Sequence, residues 1–571
     1  MPKAEELLEL LLKNRGVKPA DFERFLNPDY DRDVYDPYLM KDMEKAVVRI
    51  FEAMEAKEKI VIYTDYDCDG IPAAVIMNDF FNKINYENYK VYIPDRHDEG
   101  YGLHRDAIEE FIADGVNLLI TFDLGITAVA ETALAQGAGI DVVIVDHHLP
   151  QESVPKAFAI LNPKQDGCKY PDKMLCGAGL AYKLVQAFLI KYREYFNTKL
   201  KEGTRPVGIP DSLDSGQIPM GWEKWLLDMA GVATLSDQVP LVDENRALAY
   251  YGLKVLQKNR RTGLQQFWKK AGVEARAITE DDVAFTLAPK INAASRMDSP
   301  MRAFELLATT EIAEAGALTD HLMKINNERK TIVAHIMKEV KSTLGKREEK
   351  EVIVIGNPKW RVGVLGIVAS KIVDEYKKPV FVWGKEGTEL IKGSCRSFGS
   401  MNLVELMGAL PENSLLEFGG HKLAGGFSVH HEEIHFLEER LLVAHTNLSL
   451  AENPPAESLI DTTIDIDDVN NDNYKVIDKL APFGTGNPKP TFMFANIQIA
   501  SVKEFGKEKN HLELSFLNSR GKPVKAISFF KTRADFKNGL KAGDAVDLIA
   551  TFEKSTFAGR TELRLRIVDI Q

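Results

Sequence analysis

The 571-residue chain is 45% hydrophobic and 27% charged, an ordinary globular composition at a length that exceeds one hydrophobic core. Its four cysteines form no CxxC pair, which argues against a disulfide framework or a structural zinc site and predicts a reducing, cytoplasmic compartment. No run of about 18 apolar residues occurs, so no membrane partner is expected, and the formal net charge of −12 argues mildly against extensive coating by nucleic acid.

The first 300 residues begin with a helical segment and continue as alternating strands and helices. Residues 1–44 open with leucines interspersed with glutamates, which predicts an amphipathic helix and not a signal peptide. Within residues 45–300, four short runs are predicted strands: Ile60–Tyr63, Tyr89–Ile93, Leu118–Phe122 and Val142–Val145. Helical stretches separate these runs, so we predict an α/β domain whose parallel sheet has helices on both faces.

The remaining chain divides into three further parts. Residues 301–345 show an uninterrupted helical pattern without proline, which predicts a long helix joining two lobes. Residues 346–450 repeat the α/β pattern, and five strand-like runs within residues 456–571 predict a small β-barrel, most simply an OB-fold. By composition, Glu202–Gly221 is a predicted loop and Ala451–Pro455 a predicted linker.

Metal-ligand side chains follow the predicted strands. Asp65, Asp67 and Asp69 come directly after the first strand, in the sequence DYDCDG. Three carboxylates that meet in one place need a counter-charge, and a divalent cation supplies it. A solvated acidic turn is the competing interpretation, and a calcium loop is disfavoured because no glutamate lies at the required distance downstream.

Two further strand ends carry similar side chains. Asp123 follows the third strand, and Asp146, His147 and His148 follow the fourth. Parallel strands present their carboxyl ends at one edge of the sheet, so these side chains are expected to meet there. Imidazole together with carboxylates suits manganese, magnesium or zinc, and an oxygen-rich set favours the first two. Asp237, at the end of a later apolar segment, is a plausible last ligand.

Many motifs occur in a fixed order along the chain. They are Phe25–Pro28, Asp65–Gly70, Pro94–Arg96, Glu99–Leu103, Asp123, Asp146–His148, Ala233–Pro240, Ala288–Arg296, Gly393–Ser397, Gly419–His421 and Pro482–Gly484. Together they resemble the DHH phosphoesterase superfamily, and specifically the RecJ single-stranded-DNA exonucleases, over nearly the whole chain. The resemblance implies a parallel-sheet DHH lobe, a smaller α/β DHH-associated lobe joined to it by a long helix, and a C-terminal OB-fold that grips single-stranded DNA.

The resemblance also implies roles for individual residues. Two divalent cations, Mn2+ or Mg2+, would be held by Asp67, Asp69, Asp123, His147 and Asp237. Asp65 would lie close by, His148 would sit near the scissile phosphate, and Asp146 would orient an adjacent imidazole as a third catalytic residue. The terminal 5′-phosphate and the DNA would be bound by Arg96, Arg296, Ser394, Arg396, Gly420 and His421, since guanidinium groups suit phosphate oxygens.

Three positions depart from the family pattern. Tyr63 stands where many members carry a histidine, so one cation is expected to be bound more weakly or with water in place of imidazole. Arg361 follows Trp360 where a histidine is usual, and it keeps a positive charge without the ability to carry protons. Ser295 replaces a usual glycine and is expected to restrict the backbone beside Arg296.

The C-terminal residues interleave aromatic and cationic side chains. The phenylalanines are Phe492, Phe494, Phe505, Phe516, Phe529, Phe530, Phe552 and Phe557. Among the cations of the same region are Lys503, Lys507, Lys509, Lys525, Lys531, Arg533, Lys554, Arg560, Arg564 and Arg566. Such a pattern can stack bases and hold backbone phosphates. Most of these phenylalanines are expected in the barrel core, with a few available for stacking.

These observations favour a metal-dependent 5′-to-3′ exonuclease that hydrolyses single-stranded DNA to 5′-mononucleotides. The resemblance places it in DNA repair and recombination, with a DNA helicase and a single-strand-binding protein as partners. One alternative is a DHH phosphodiesterase for short oligonucleotides or cyclic dinucleotides, which would not need the C-terminal barrel. Another is a catalytically inactive replication scaffold, although the acidic ligands that degenerate members lose are all present here.

Overall fold

A computed structural model of the chain describes residues 4–97, 99–202, 217–385, 390–448, 460–506, 509–536, 539–557 and 560–571. The chain forms two compact units, and neither is continuous in sequence. The larger comprises Asp36–Asp237 and Gly252–Ala456, and the smaller comprises Met1–Tyr35, Gln238–Tyr251 and Glu457–Gln571. Most of the predicted loop at 202–221 and all of the predicted linker at 451–455 lie outside the described residues.

Eighteen α-helices and sixteen strands are present in the described part of the chain. The helices are α1 (Ala4–Asn14), α2 (Phe22–Leu26), α3 (Tyr30–Asp33), α4 (Met43–Glu55), α5 (Gly70–Lys83), α6 (Arg105–Ala113), α7 (Val129–Gly137), α8 (Gly177–Glu202), α9 (Leu227–Ser236), α10 (Asp243–Leu256), α11 (Thr262–Ala271), α12 (Ala288–Met297), α13 (Met301–Ala308), α14 (Ile312–Leu344), α15 (Leu365–Tyr376), α16 (Leu403–Gly408), α17 (Ile434–Leu448) and α18 (Asn471–Asp478). The strands are β1 (Ile60–Thr64), β2 (Tyr89–Tyr92), β3 (Leu118–Phe122), β4 (Asp141–Val145), β5 (Ala159–Leu161), β6 (Ile353–Gly356), β7 (Val380–Gly384), β8 (Ile391–Arg396), β9 (Glu417–His421), β10 (Ala424–Val429), β11 (Thr462–Thr463), β12 (Phe492–Phe505), β13 (His511–Leu517), β14 (Pro523–Phe529), β15 (Ala545–Phe557) and β16 (Arg560–Ile570).

The larger unit contains the predicted parallel sheet, with strand order β2-β1-β3-β4-β5 and every pair parallel. All residues of β1 and β3 are buried, which explains their continuous apolar runs. The register is the feature that matters for function. Thr64 lies beside Phe122 and Phe122 beside Val145, so β1, β3 and β4 end at the same level. The α/β architecture predicted from the sequence is confirmed.

A second sheet of the larger unit has strand order β6-β7-β8-β10-β9 and is mixed, since only β6 and β7 run parallel. The long helix that precedes this sheet differs from the prediction at its start. Thr309 has an extended backbone, with ψ 143°, and its hydroxyl accepts a hydrogen bond from the N–H of Glu311. The predicted helix is therefore two helices, α13 and the 33-residue α14, separated at Thr309.

The smaller unit is built around the predicted C-terminal barrel. Strands β12, β13, β14, β16 and β15 pair in that order, and β15 pairs back with β12 to close the barrel. Phe492, Phe494, Phe516 and Phe552 lie in its core, as expected. Leu7, Leu11 and Leu12 of α1 belong to the same core. The amphipathic N-terminal helix thus finds the partner of its apolar face nearly 500 residues away in the sequence.

Among the described residues, none of the helices is both long enough and apolar enough to cross a membrane.

One buried ion cluster ties together helices of the larger unit. The Arg261 guanidinium lies 2.8 Å from Asp79 of α5 and donates two hydrogen bonds, of 2.6 and 3.0 Å, to Asp228 of α9. We predict that Arg261→Met destabilises the protein by about 3–5 kcal/mol, because it leaves two buried carboxylates without their cation. Denaturant unfolding followed by tryptophan fluorescence measures this, since Trp268 is buried in the adjacent α11.

The control is Lys191→Met, which removes a cation from the surface ion pair with Glu44. That variant is expected to change the unfolding free energy by less than about 1 kcal/mol. Equal effects of the two substitutions would mean that the Arg261 cluster does not hold these helices together.

Candidate metal centre

The site begins with the common level at which β1, β3 and β4 end. The residues that follow those ends are Asp65, Asp123 and Asp146, and the sheet's hydrogen bonds extend into them. The N–H of Asp65 donates to the carbonyl of Phe122 at 3.3 Å, and that of Asp123 donates to Val145 at 3.0 Å. Three carboxylates are therefore held side by side by the strand register alone.

The backbone at Asp123 is itself unusual. Asp123 has φ +62°, in the left-handed region, which aspartate tolerates better than most residues. A β-carbon built on Gly177 of α8 would lie 2.7 Å from the Asp123 β-carbon. Only a glycine at 177 therefore lets α8 approach the carboxyl end of β3 so closely.

The DYDCDG loop connects β1 to α5 and is folded by its own carboxylates. Asp67 accepts a hydrogen bond of 2.7 Å from the N–H of Asp69. Asp69 accepts bonds of 2.6 and 2.7 Å from the N–H groups of Gly177 and Ala178, at the start of α8. The dipole of α8 and these two hydrogen bonds hold the Asp69 carboxylate in place. Glycine is required at position 70 because a β-carbon there would lie 2.4 Å from the Asp65 carbonyl oxygen.

The peptide of Cys68, between two of the predicted ligands, is clamped from two other helices. Its N–H donates to the side-chain oxygen of Asn292 on α12 at 2.8 Å. Its carbonyl accepts from the hydroxyl of Ser236 on α9 at 2.9 Å. The sequence indicated neither clamp, although both residues lie inside motifs that resemble the family.

The side chains converge into three overlapping groups of potential ligands, two of which share Asp123. The groups are Asp65, Asp67 and Asp123; Asp123, His147 and His148; and Asp69, His147 and Asp237. Within each group, one ligand atom per residue lies within 4.8 Å of the others. His147 Nε2 lies 3.1 Å from Asp123 Oδ1, 3.6 Å from Asp69 Oδ2 and 3.8 Å from Asp237 Oδ2. The structure therefore brings together all five predicted ligands, with Asp65 among them.

The electrostatics of this cluster favour bound cations. Burial raises the pKa values of Asp65, Asp69, Asp123 and Asp237 above the ordinary value of an aspartate. Repulsion from neighbouring carboxylates, Asp67 among them, raises each of these pKa values further. One carboxylate oxygen of Asp65 is buried without a hydrogen-bond partner. Burial and the neighbouring His148 lower the pKa of His147 to about 3, so its imidazole is neutral, the form that binds metals. A donor set of this kind fits Mg2+ or Mn2+.

Asp146 has a different role from the aspartates beside it. It lies outside the ligand groups and accepts hydrogen bonds from the N–H groups of His148, at 3.0 Å, and Ile126, at 2.9 Å. Its other contact is to His148 Nδ1 at 2.8 Å. Burial lowers the pKa of His148, but the hydrogen bond and charge of Asp146 outweigh burial and leave that pKa raised. Asp146 thus contacts the imidazole of His148, and its role in orienting that imidazole for catalysis stays a prediction.

These residues open into a cleft of about 260 Å³. Its lining consists of Asp65, Tyr66, Asp67, Arg96, Tyr101, Asp123, His148, Asp237, Asn292, Ser295 and Arg296. The sequence analysis did not single out Tyr66, Tyr101 or Asn292. The Tyr101 hydroxyl donates to the Asp123 carbonyl at 3.1 Å, and the Tyr66 ring faces the Arg96 guanidinium at 4.8 Å. Their positions inside matched motifs were the only signal that could have identified them.

Positively charged side chains gather at the other side of the cleft. Arg96 and Arg296 line it, and Arg396 lies close enough to Arg296 for its charge to contribute to lowering the pKa of Arg296. Burial, followed by repulsion from Arg96, lowers the pKa of Arg296 to about 9. Within the described residues, none of these three guanidinium groups forms an ion pair with a carboxylate; Arg296 instead donates to the Gly363 carbonyl at 3.0 Å. Such a pocket suits an anion.

The lining of the cleft does not include the other predicted DNA contacts, which are Ser394, Arg396, Gly420 and His421. Arg396 donates to the Ser394 hydroxyl at 3.2 Å and to the Cys395 carbonyl at 2.7 Å. Gly420 and His421 are on β9, the edge strand that pairs with β10. Burial and the charge of Arg396 lower the pKa of His421, which places that imidazole within electrostatic range of the pocket.

The three departures from the family pattern have clear structural settings. Tyr63 is buried in the core beneath α6, where its ring stacks on Tyr92 and its hydroxyl donates to the Gly102 carbonyl at 3.0 Å. The Tyr63 side chain belongs to none of the groups of potential metal ligands. Ser295 lies inside α12 with helical backbone, so no glycine is needed there. Arg361 lies outside the cleft, 4.0 Å from the sulfur of Met297.

Comparisons with known proteins agree with this geometry. Residues 59–204 match the model of the DHH family N-terminal domain, residues 349–441 the DHHA1 domain and residues 460–569 the RecJ OB domain. The single-stranded-DNA-specific exonuclease RecJ of Bacillus subtilis is 33% identical over 99% of this chain and 67% of its own length. Its Haemophilus influenzae counterpart is 30% identical over 89% of this chain and 86% of its own length.

A solved structure extends the comparison to the fold. The crystal structure of RecJ from Thermus thermophilus in complex with Mn2+ superimposes with a TM-score of 0.78, at 24% identity, over 99% of this chain and 76% of that one. At this identity the likeness concerns the fold alone. Together, the three matched domains and the identity to curated relatives over most of the chain show that this protein belongs to the RecJ family of the DHH phosphoesterases.

Proposed function

We propose that this protein is a metal-dependent exonuclease that hydrolyses single-stranded DNA from its 5′ end and releases 5′-mononucleotides. One observation carries the proposal: the overlapping groups of potential metal ligands share a cleft with guanidinium groups that form no ion pair with any carboxylate of the described residues. Phosphodiester hydrolysis needs the first feature, and capture of a terminal phosphate needs the second. Curated relatives that match most of this chain are named single-stranded-DNA-specific exonucleases.

Two divalent cations, Mn2+ or Mg2+, would be held by Asp67, Asp69, Asp123, His147 and Asp237, with Asp65 beside them. When bound, such a pair supplies a nucleophile at neutral pH and stabilises negative charge on the phosphate oxygens. The raised carboxylate pKa values support this assignment, because the cluster lacks the positive charge that would let every aspartate ionise.

His148 and Asp146 would act on the substrate phosphate. The contact of Nδ1 with Asp146 fixes the imidazole orientation and leaves Nε2 for the substrate. A protonated His148, favoured by Asp146, can donate a hydrogen bond to a phosphate oxygen or hold the proton that the leaving oxygen requires. Tyr101, whose hydroxyl lies 3.3 Å from His148 Nδ1, borders the same space.

The polarity of digestion follows from the guanidinium pocket. Arg96, Arg296 and Arg396, with Ser394, would bind a terminal 5′-phosphate, and Gly420 and His421 would border the strand beside them. Arg96 and Arg296 line the same small cleft as the metal ligands. The bond that reaches the ligands is therefore close to the bound end, which supports release of single nucleotides.

The barrel would also bind the single strand. Phe530 is 80% exposed, its ring lies 4.9 Å from that of His511, and the guanidinium of Arg566 lies 4.2 Å above the neighbouring Phe529. Exposed aromatic rings next to cations suit the stacking of bases without sequence preference. Such a DNA-binding surface argues against a phosphodiesterase for short oligonucleotides or cyclic dinucleotides, because a small substrate does not need it.

The biological setting remains a prediction from the sequence. A helicase that supplies the single strand, a single-strand-binding protein, the cytoplasmic location and a role in repair and recombination all fit the proposed activity.

We predict that Asp123→Ala lowers exonuclease activity by roughly 1,000-fold or more, because Asp123 belongs to two of the three groups of potential metal ligands. The assay follows a long single strand labelled at its 5′-phosphate, with Mn2+ or Mg2+, and the expected product is labelled mononucleotide at the earliest times. Asp374→Ala, at an exposed aspartate of α15, is the matched control and should leave the rate unchanged.

Other outcomes of this assay would favour other functions. An intact long strand alongside hydrolysis of dinucleotides would indicate a small-substrate phosphodiesterase. An absence of cleavage for both substrates would indicate a scaffold protein. Labelled product that first appears late, after shortening from the other end, would reverse the proposed polarity.

A second prediction concerns the terminal phosphate. Arg296→Gln is expected to lower kcat/KM for a 5′-phosphorylated strand by about 10- to 100-fold, the value of a hydrogen bond to a charged group. The rate for the same strand with a 5′-hydroxyl should change little. The control, Arg302→Gln, alters an arginine paired with Glu305 at the surface. An equal loss on both substrates would show that Arg296 does not recognise the phosphate.

A third prediction tests the barrel. Phe530→Ala should weaken binding of a strand of about 30 nucleotides by roughly 5- to 100-fold, the contribution of one stacked base. Fluorescence anisotropy in the Asp123→Ala background measures binding without cleavage. Phe436→Ala, at another exposed phenylalanine, 52% exposed on α17, is the control. Unchanged affinity would exclude Phe530 from the DNA-binding surface.

A further inference from the structure

The amino end of α15 approaches the proposed phosphate pocket more closely than a side chain permits. Gly366 is the second residue of that helix. A β-carbon built on it would lie 2.9 Å from Arg396 Nη2 and 3.2 Å from the hydroxyl oxygen of Ser394. Both distances are shorter than ordinary van der Waals contacts, so the absence of a side chain at 366 creates the space that these two groups occupy.

The two groups depend on each other for their positions. Ser394 and Arg396 are two residues apart on β8 and therefore project from the same face of the sheet. The guanidinium folds back along the strand, donating to the Ser394 hydroxyl and to the carbonyl of Cys395. The backbone of α15 lies against this arrangement, and any group added there pushes directly on the guanidinium.

The local backbone gives no reason for a glycine at 366. The residue is helical and does not have a positive φ. Alanine is favoured over glycine in helices. Moreover, the atom that an added methyl group would meet first is the far end of a long side chain, which can move. Gly363 offers the contrast, because a β-carbon there would lie 2.5 Å from the main-chain oxygen of Arg296, which cannot move freely.

We infer that Gly366 is a positioning residue for recognition of the 5′-terminal phosphate. It keeps the Arg396 guanidinium and the Ser394 hydroxyl aligned toward the pocket that they share with Arg96 and Arg296. Gly366 acts through Arg396 and makes no contact with the reacting atoms. This inference rests on the proposed function of the guanidinium pocket and assigns to α15 the selection of 5′-phosphate over 5′-hydroxyl ends.

The test compares Gly366→Ala with Gly316→Ala, a helical glycine of α14 whose added methyl group would meet nothing within 4 Å. For each full-length protein, kcat/KM is measured on one oligonucleotide carrying either a 5′-phosphate or a 5′-hydroxyl, and the melting temperature is recorded. Gly366→Ala should reduce the preference for the phosphate at least about tenfold, without a lower melting temperature or a change on the hydroxyl substrate. Gly316→Ala should keep the full preference.

The outcomes separate this inference from the function on which it rests. A wild-type protein that does not distinguish the two ends overturns the phosphate pocket, and the role of Gly366 with it. A wild-type preference that Gly366→Ala retains overturns the role of Gly366 alone.

Should Gly366→Ala melt at a lower temperature, a double-mutant cycle with Arg396→Met decides between positioning and folding. If Gly366 acts through Arg396, then Gly366→Ala has no further effect on the preference in the Arg396→Met background. An undiminished effect in that background overturns the inference.

Discussion

The functional site depends on the alignment of three parallel strands. Because β1, β3 and β4 end at one level, the next residue of each chain segment is brought to the same edge of the sheet. In this protein all three of those residues are aspartates. Burial of Asp65 and Asp123 and the repulsion between these two carboxylates are unfavourable, and the strand hydrogen bonds and apolar helices of the surrounding lobe must hold them together. Bound cations would relieve that repulsion and therefore stabilise the folded lobe.

Equivalent positions at the strand ends nevertheless acquire different chemistry. Asp123 and Asp146 both follow a buried strand directly, yet the pKa of Asp123 is raised and that of Asp146 is lowered. Burial raises the pKa of both carboxyls. At Asp146, hydrogen bonds from the His148 side chain and from the N–H groups of His148 and Ile126 outweigh burial, whereas Asp123 faces other carboxylates. The fold thus makes Asp123 a candidate metal ligand and Asp146 the hydrogen-bond partner of His148.

A feature of the fold or of the candidate site could be predicted from the sequence when it depends on residues that are close together in the chain. Strand ends are local, so Asp65, Asp123 and His147 could be identified from apolar runs followed by polar side chains. The approach of Asp237 to His147 depends on how α9 packs, and spacing alone did not select it. The clamping of Cys68 by Asn292 and Ser236 joins three distant segments and was not predicted. Tyr63, for which the sequence predicted a cation bound more weakly or with water in place of imidazole, lies in the core and in none of the ligand groups, and its effect on the cation stays a prediction.

The separation of charge within the cleft explains why one substrate can use both halves of the site. The charge of Arg96 partly opposes the rise in the pKa of Asp65 that burial and Asp67 cause. In the described part of the chain, however, the arginines of the pocket form no ion pairs with carboxylates. Had such pairs formed, they would have neutralised the ligands and the phosphate pocket together. Instead the carboxylates are available to cations and the guanidinium groups to an anion. In the proposed function, a strand whose terminal 5′-phosphate binds the arginines would bring its next phosphodiester bond toward the bound cations. Recognition of the end would then also determine which bond is hydrolysed.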